Sequence, residues 1–526
     1  MPEPPAASGH IAGRALRLLV GTLGSRALGF VRLLLMARFF GGRGATDVFF
    51  VAYLIPNLFR RALGEQAVES AFLPVFKSLV ARGERRAAWR AARVTLKWFV
   101  LALLAAAGFC FLFAPQLVGW VLAPGFDRAM ASDAAALGRL MCPFMVIIGL
   151  AAFCGALLLA HDRALAYSAS PILFNVGWIG GMVLLHRRLG TYSLAVGVLA
   201  GGVLYLAATV AALAAARRRG GVPAVRVPAA GWSDRYAREA FRAAGPVCLA
   251  ALIARCATAV DCAVASTLPS GAVSALRYAM PLVLLPFALF GLSVGRAALV
   301  PLSEHAGRGD LGRFEDAAGQ TMHLGLLVLV PLSLGTVLLA EPLAGVFRAG
   351  KFEADEAQML TTAVRCYALG LVAMGFVSIF SRAMYALKDT RTPLKVAAVA
   401  LLTNAVLSIL LARTPLGHGG IALATAIAMS LQAALLFVAM RRALRRGGAG
   451  GALGRLCRPV ARIVVGTVVM AGPTLGALAG LNALTDSSHL LVRLARVAVP
   501  ALVGAGTYGL IMWLLDRKGL RSLLRA

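Results

Sequence analysis

Residues Ser25 to Phe76 read SRALGFVRLLLMARFFGGRGATDVFFVAYLIPNLFRRALGEQAVESAFLPVF. The stretch is apolar enough to enter a bilayer. Yet Arg26, Arg32 and Arg38 punctuate its first half, and Asp47, Arg60, Arg61, Glu65 and Glu69 its second. An arginine facing lipid near the bilayer centre costs about 2.5–3.5 kcal/mol on insertion scales, so such side chains normally face water or a ligand. The stretch therefore reads as the lining of a polar, positively biased chamber inside a membrane, suited to an anion.

The rest of the chain agrees with a membrane setting. Its 526 residues are 60% hydrophobic, with a mean hydropathy of +0.81, whereas soluble domains run nearer 45–50% apolar. The formal charge of +31 does not imply nucleic acid, because no DNA- or RNA-binding motif accompanies it. Basic residues in short loops between apolar runs are a topology signal and a lure for anionic lipid headgroups. The eight cysteines lie in or beside apolar segments without zinc-ligand spacing, and read as small core residues. The N-terminal MPEPPAASGHIAGRALRLLV has no long uncharged run ending in a cleavage site, so the first span is expected to be retained.

Apolar runs of about 18 residues or more fall near 18–40, 46–76, 96–121, 135–160, 165–186, 192–216, 243–267, 272–303, 321–346, 359–387, 393–412, 418–440, 460–483 and 489–515. The expected fold is an all-α integral membrane protein of about 14 transmembrane helices. Lysine and arginine crowd the loops after the second, sixth and twelfth spans and the tail, roughly 33 against 7 in the alternate loops, which puts both termini in the cytoplasm. The pattern Gly44-Ala45, Gly64, Pro74 returns at Gly271-Ala272, Gly291, Pro301, and Asn175 after Pro171 returns as Asn404 after Pro393. Such a repeat predicts two pseudo-symmetric six-helix lobes around a central cavity, with two further helices at the C-terminus. The expected divisions are an N-terminal lobe 1–216, a basic linker 217–242, a C-terminal lobe 243–440, a basic loop 441–459 and a final helix pair with its tail, 460–526.

Arg26, Arg32 and Arg38 recur every six residues, so an ideal helix turns each about 120° from the last. They cannot form one stripe. Arg38 lies near the outer end and can reach the interface, whereas Arg26 and Arg32 lie deeper with Gly29 between them. Guanidinium forks bind phosphate oxygens bidentately; the competing reading is pairing with Asp47, Glu65 or Glu69. Asp47 either caps the helix opened by Ala45-Thr46-Asp47 or closes a gate with a cation. Glu65 is a second gate candidate, and Pro56 and Gly64 are candidate hinges. No HExxH, no Walker-type GxxxxGK[ST] loop and no catalytic cluster emerges, so the chain is expected not to be an enzyme. A membrane transferase acting on a lipid-linked sugar would need carboxylates or histidines in a sizeable extramembrane loop, and the only acidic outer loop, with Glu353, Asp355 and Glu356, is modest.

SRALGFVR, ATDVFFVAYLIPNLFRR and the E-x3-SAFLPVF block resemble the opening of the MurJ/MviN family, lipid II flippases of the multidrug/oligosaccharidyl-lipid/polysaccharide exporter superfamily. Ala123-Pro124-Gly125-Phe126, the segments around Arg163 and Pro171 to Asn175, and Tyr385-Ala386 through Lys388-Asp389-Thr390-Arg391-Thr392-Pro393 extend the resemblance over nearly the whole chain. The last of these is also a plain tight turn between spans. The resemblance implies that Arg26, Arg32 and Arg60 line a substrate cavity and that Asp47 is an essential acidic residue. It implies a substrate, the undecaprenyl-pyrophosphate-linked peptidoglycan precursor, moved from the inner to the outer leaflet of the bacterial cytoplasmic membrane by a monomer working beside cell-wall synthesis proteins. The last two helices would form a groove for the polyprenyl tail. It further implies a sodium ion held by Asp261, Asn404, the carbonyl of Ile421 and Thr425, one family aspartate being Ser408 here. Two departures stand out. Arg32 is followed by Leu33 rather than an acid, and the arginine that relatives carry in the eighth span is Pro281, leaving Arg255 or Arg277 to supply that charge. Exporters of other lipid-linked oligosaccharides and a transport-inactive scaffold are the competing expectations.

Overall fold

The computed structural model describes residues 7–60, 68–161, 163–219, 231–287, 302, 304–448, 457–485, 489–517 and 519. It is all-helical, with no strand among the described residues. Among the described residues, the fourteen expected intervals fall on helix, the second followed to Arg60 and again from Val68, and the eighth continuously only as far as Phe287. By length and apolarity, eight of the described helices can cross a membrane, nine when the pair Ala354–Leu369 and Leu371–Ala386, bent by 40°, is taken as one span. The helices Ala45–Leu58 and Ala272–Pro286 are apolar but shorter. The chain is a multi-pass integral membrane protein by its many long apolar helices, and Leu112, Trp120, Leu184, Leu402 and Leu491 on its surface are each more than 60% exposed.

Contacts divide the chain into two units, Met1–Phe40 with Gly44–Thr267, and Gly41–Arg43 with Leu268–Ala526. The first holds α1 (Ala7–Phe40), α2 (Ala45–Phe59), α3 (Leu73–Ala81), α4 (Arg85–Leu112), α5 (Ala114–Gln116), α6 (Arg128–Ala160), α7 (Ala164–Leu189), α8 (Tyr192–Arg218) and α9 (Arg235–Ser266). The π-helical turn Val68–Phe72 leads into α3, and a second, Leu117–Leu122, follows α5. Asp127 and Asp234 accept backbone N–H bonds at the starts of α6 and α9, satisfying donors that have no intrahelical partner. Phe72, Phe76, Leu79, Phe99, Leu103 and Phe153 form a core where α3, α4 and α6 meet.

The second unit holds α10 (Ala272–Pro286), α11 (Leu311–Leu338), α12 (Ala340–Gly345), α13 (Ala354–Leu369), α14 (Leu371–Ala386), α15 (Arg391–Ala412), α16 (His418–Arg446), α17 (Cys457–Leu484) and α18 (Leu490–Leu515). Its core joins α11, α14 and α16 through Phe314, Phe376, Phe380, Leu436 and Met440. The helices α17 and α18 pack on each other and on α11, where the Tyr508 hydroxyl donates to the Leu327 carbonyl at 2.8 Å. The repeat is visible in the backbone. Gly44 and Gly271 each precede a helix that begins with alanine, at φ of 53° and 100°, values that favour glycine.

Gly41–Arg43 is threaded tightly into this unit. Arg43 pairs with Asp355, the Tyr278 hydroxyl donates to Gly41 O at 3.2 Å, and Gly42 N–H donates to the Glu356 carboxylate. A Cβ on Gly42 would lie 2.8 Å from the Phe352 ring and 3.1 Å from the Glu356 carboxyl carbon. Gly42→Ala is therefore expected to destabilise the protein by about 1–3 kcal/mol through overpacking. A fall in the detergent-phase melting temperature checks this, and an unchanged melt refutes it.

The turn before α15 is organised by Asp389. Its Oδ2 accepts from Thr392 Oγ1 at 2.5 Å, and its Oδ1 accepts from the backbone N–H groups of Thr392 and Arg391 at 2.9 and 3.1 Å. The Thr392 bonds hold the Asp389 carboxyl below its ordinary value. A depressed carboxylate stabilises the fold above its unfolded value and loses that contribution as pH falls through the folded one. Asp389→Ala should cost about 0.5–1 kcal/mol at neutral pH, the low end of capping values for an exposed group. The gap from the parent protein should begin to narrow below about pH 4; melting curves at pH 7 and pH 3.5 read both.

Candidate substrate-binding site

Arg32 is half-buried on α1, where α1 packs along α7. Its Nη1 donates to Asn175 Oδ1 at 2.9 Å, and its Cζ lies 3.9 Å from the centre of the Trp178 ring. Asn175 is held in turn. Its Nδ2 donates to Pro171 O at 3.1 Å on its own helix and to Ser25 O at 3.2 Å on α1. A Cβ on Gly29 would lie 3.9 Å from Asn175 Oδ1, an ordinary contact, so the approach of the two helices does not itself require glycine there. Asn175 and Trp178, three residues apart on α7, share a helix face and present an oxygen and a π-surface to one guanidinium.

The floor under that guanidinium is aromatic. Trp178 packs against Tyr53 and Phe49 of α2 at 5.3 and 6.0 Å and against Phe174 at 5.5 Å; Phe144 of α6 lies 5.7 Å from Phe174 and 6.3 Å from Tyr53. The Trp178 indole N–H is buried with no acceptor. A cation–π contact of this kind contributes about 0.5–2 kcal/mol and leaves the net charge in place. No carboxylate pairs with Arg32 among the described residues. The arrangement holds a positive charge rigidly without neutralising it, which is what recognition of an anion requires.

Arg60, at the end of α2, donates from Nε to Asn57 Oδ1 at 2.9 Å and lies over the Phe144 ring at 5.9 Å. It reaches the same aromatic cluster from another side. Arg26 is half-buried on α1, and Arg38 is exposed. Asp47 is buried in the first turn of α2, but it is not the cap; Gly44 holds that position with no side-chain bond, and the carboxylate instead sits where the helix dipole favours negative charge. Glu69 accepts from the Tyr167 hydroxyl of α7 at 2.6 Å rather than from an arginine of α1. Glu65 lies outside the described residues, as do Arg61 and Gly64.

Arg255, half-buried on α9, belongs to the same unit as Arg32, whereas Arg277, half-buried on α10, belongs to the other. Pro281 is exposed one turn beyond Arg277. The residues implied as ion ligands divide likewise. Asp261 lies in the first unit and Asn404, Ile421 and Thr425 in the second. There Asn404 Nδ2 donates to Thr425 Oγ1 at 3.2 Å, and Thr425 Oγ1 donates to Ile421 O at 3.2 Å. Asn404 Oδ1 is buried with no donor. In the first repeat the corresponding Asn175 oxygen receives the Arg32 guanidinium; in the second the Asn404 oxygen meets no donor among the described residues.

Trp178 and its aromatic neighbours were not legible as site residues in the sequence, because an apolar helix of a membrane protein offers many aromatics and no period singles one out. A readable signal did exist beside them. Gly177-x3-Gly181 on α7 and Gly197-x3-Gly201 on α8 are paired small-residue motifs of the kind that let membrane helices touch. A Cβ on Gly177 or Gly181 would come within 2.7 Å of the Cα of Gly201 or Gly197, respectively. This close packing fixes the backbone that carries Trp178.

A family model described as "Lipid II flippase MurJ" matches residues 36–494. The lipid II flippase MurJ of Burkholderia cenocepacia is 30% identical over 399 residues, covering 74% of this chain and 76% of its own. A probable lipid II flippase MurJ of Rhizobium tropici is 29% identical over 521 residues, covering 94% and 95%. Among solved structures, a lipid II flippase MurJ in an inward closed conformation superposes with a TM-score of 0.75 at 23% identity, covering 95% of this chain and 98% of that one. An inward-facing multidrug resistance MATE transporter of the MOP superfamily gives 0.66 at 13% identity, covering 81% and 95%. These two likenesses establish a shared fold.

Proposed function

Since the chain belongs to the lipid II flippase MurJ family, we propose that it moves the undecaprenyl-pyrophosphate-linked peptidoglycan precursor from the inner to the outer leaflet of the cytoplasmic membrane, with both termini in the cytoplasm. The observation that carries this reading is the Arg32 guanidinium, set on Trp178, tethered by Asn175 and lacking a carboxylate partner among the described residues. A pyrophosphate supplies the missing negative charge, and Arg26, Arg60 and the half-buried Arg255 and Arg277 are the further cations that would meet it as the two lobes alternate access to either side. The polyprenyl chain stays in lipid throughout. Asp47 is the gate candidate, as is Glu65.

Energy comes from an ion gradient or the membrane potential, which is worth about 2.3 kcal/mol per elementary charge per 100 mV. A sodium ion fits the second repeat. The orphaned Asn404 Oδ1, the Thr425 hydroxyl and the Ile421 carbonyl are hard oxygen donors, the ligand type such ions take; Asp261, the fourth ligand that the resemblance implies, belongs to the other unit. The ion would supply electrostatic bias between lobe conformations.

The test is transport of fluorescent lipid II by the purified full chain in proteoliposomes. Translocation above protein-free vesicles is the expected result. Translocation of a different lipid-linked oligosaccharide, but not lipid II, would move the protein to another exporter class, and none of either would leave the scaffold reading.

A further inference from the structure

The second unit contains a cavity of about 510 Å³ that the transport reading does not use. It lies where α12 and the following turn meet the start of α13, the end of α17 and the start of α18. Four arginines line it: Arg348 from the turn, Arg365 from α13, and Arg493 and Arg496 from α18. Glu341 is the one carboxylate among its lining residues. It stands 3.9 Å from Arg365 with both side chains more than half exposed, a pairing that offsets little. The cavity therefore carries a surplus of positive charge.

The arginines also stand close to one another. Arg493 has Arg348 and Arg496 as its like-charged neighbours. Arg496 is anchored by one bond, Nη2 to the Thr485 carbonyl at 2.5 Å, while its Nε is buried with no acceptor. Converging guanidiniums and an orphaned donor are the chemistry of phosphate capture, and the amide of Asn482 adds a neutral hydrogen-bonding group. The volume falls within the range of small-molecule sites. The positive-inside trend does not account for the cluster, because the turn after α12 and the connection from α17 to α18 belong to the loops sparse in lysine and arginine. Finally, α17 and α18 carry lipid-exposed Val468, Leu475, Leu491 and Leu502, so a ligand with a phosphate head and a hydrocarbon tail has a surface for each part.

We propose that this cavity is a second anion site, distinct in sequence and in unit from the Arg32 site, and that it holds the phosphate group of a lipid. Two sources share that chemistry, the phosphodiester of an anionic phospholipid and the pyrophosphate of a polyprenyl carrier. The site does not depend on the transport reading.

Lipid retention by the full chain in detergent, followed by native mass spectrometry, tests it. The probes are phosphatidylglycerol, undecaprenyl pyrophosphate, inorganic pyrophosphate and phosphatidylcholine as the zwitterionic control of zero net charge. The expected result is retention of one or both anionic lipids at least about tenfold over phosphatidylcholine, lost in Arg493→Gln/Arg496→Gln and weakened in Arg348→Gln. Arg348 is exposed on a turn, so its substitution leaves folding aside. Arg32→Ala is expected to retain the lipid unchanged, which separates this site from the first. Preference for phosphatidylglycerol assigns a structural phospholipid, and preference for undecaprenyl pyrophosphate assigns a carrier site. Equal retention by the parent chain and Arg348→Gln, no preference over phosphatidylcholine, or binding of inorganic pyrophosphate alone overturns the proposal.

Discussion

Arg32→Ala is expected to reduce lipid II translocation in proteoliposomes by about 100-fold, the upper range for losing a charge-assisted hydrogen bond to an anion. The side chain makes one hydrogen bond and one ring contact to protein, both of which orient it. Removing it leaves Asn175 Oδ1 without its donor, a stability loss of about 1–3 kcal/mol, so the melting temperature must be followed beside transport. Arg32→Lys keeps the charge but loses the planar stack and the second fork of donors, and should fall between the two. Trp178→Phe keeps a ring and should cost less than Arg32→Ala. Transport by Arg32→Ala at the parental rate, in a protein that melts normally, would sink the assignment of this guanidinium to substrate.

The second large effect lies in the packing that supports the site. Gly201→Leu places a Cβ 2.4 Å from the Phe174 carbonyl oxygen, and Gly197→Leu one 2.7 Å from the Trp178 carbonyl oxygen. These neighbours are backbone and cannot rotate away, so α7 and α8 must separate. A loss of about 3 kcal/mol, at the top of the overpacking range, is expected for each. Because the helix that moves carries Trp178, transport should fall with stability. Gly180→Leu is the matched control, since nothing lies within 4 Å of a Cβ at that position of α7. Tryptophan-fluorescence melts of the three variants decide the matter, and Gly201→Leu melting like Gly180→Leu would refute it.

Much of the architecture was legible before any coordinates. Long apolar runs, a charge-poor side and a charge-rich side, and the recurrence of Gly44-Ala45 as Gly271-Ala272 are one-dimensional signals, and they mark helices and a repeat without reference to packing. Individual site residues were legible only where their cost was written into composition. Arg32 stands out because a guanidinium in an apolar run needs a reason, and Asn175 because its position recurs as Asn404. Trp178, Tyr53 and Phe144 carry no such mark. Asp47 shows the converse: its place at a helix start left a cap and a gate both open, and in the structure Gly44 takes the cap while the carboxylate is buried within the first turn.

The sequence by itself determined that this chain lives in a membrane, folds into helices from two related halves, belongs beside the flippases and carries arginines within its apolar runs. Those properties follow from hydropathy, charge placement and identity along the chain, which survive being read one residue at a time. Only the tertiary structure decided which group each cation meets. Arg32 could have paired with a carboxylate, but the touching glycines of α7 and α8 and the tether from Asn175 bring an indole beneath it instead. Likewise Arg348, Arg365, Arg493 and Arg496, scattered over some 150 positions, became one basic cavity. Proximity between distant residues is set by helix packing, and no local pattern records it.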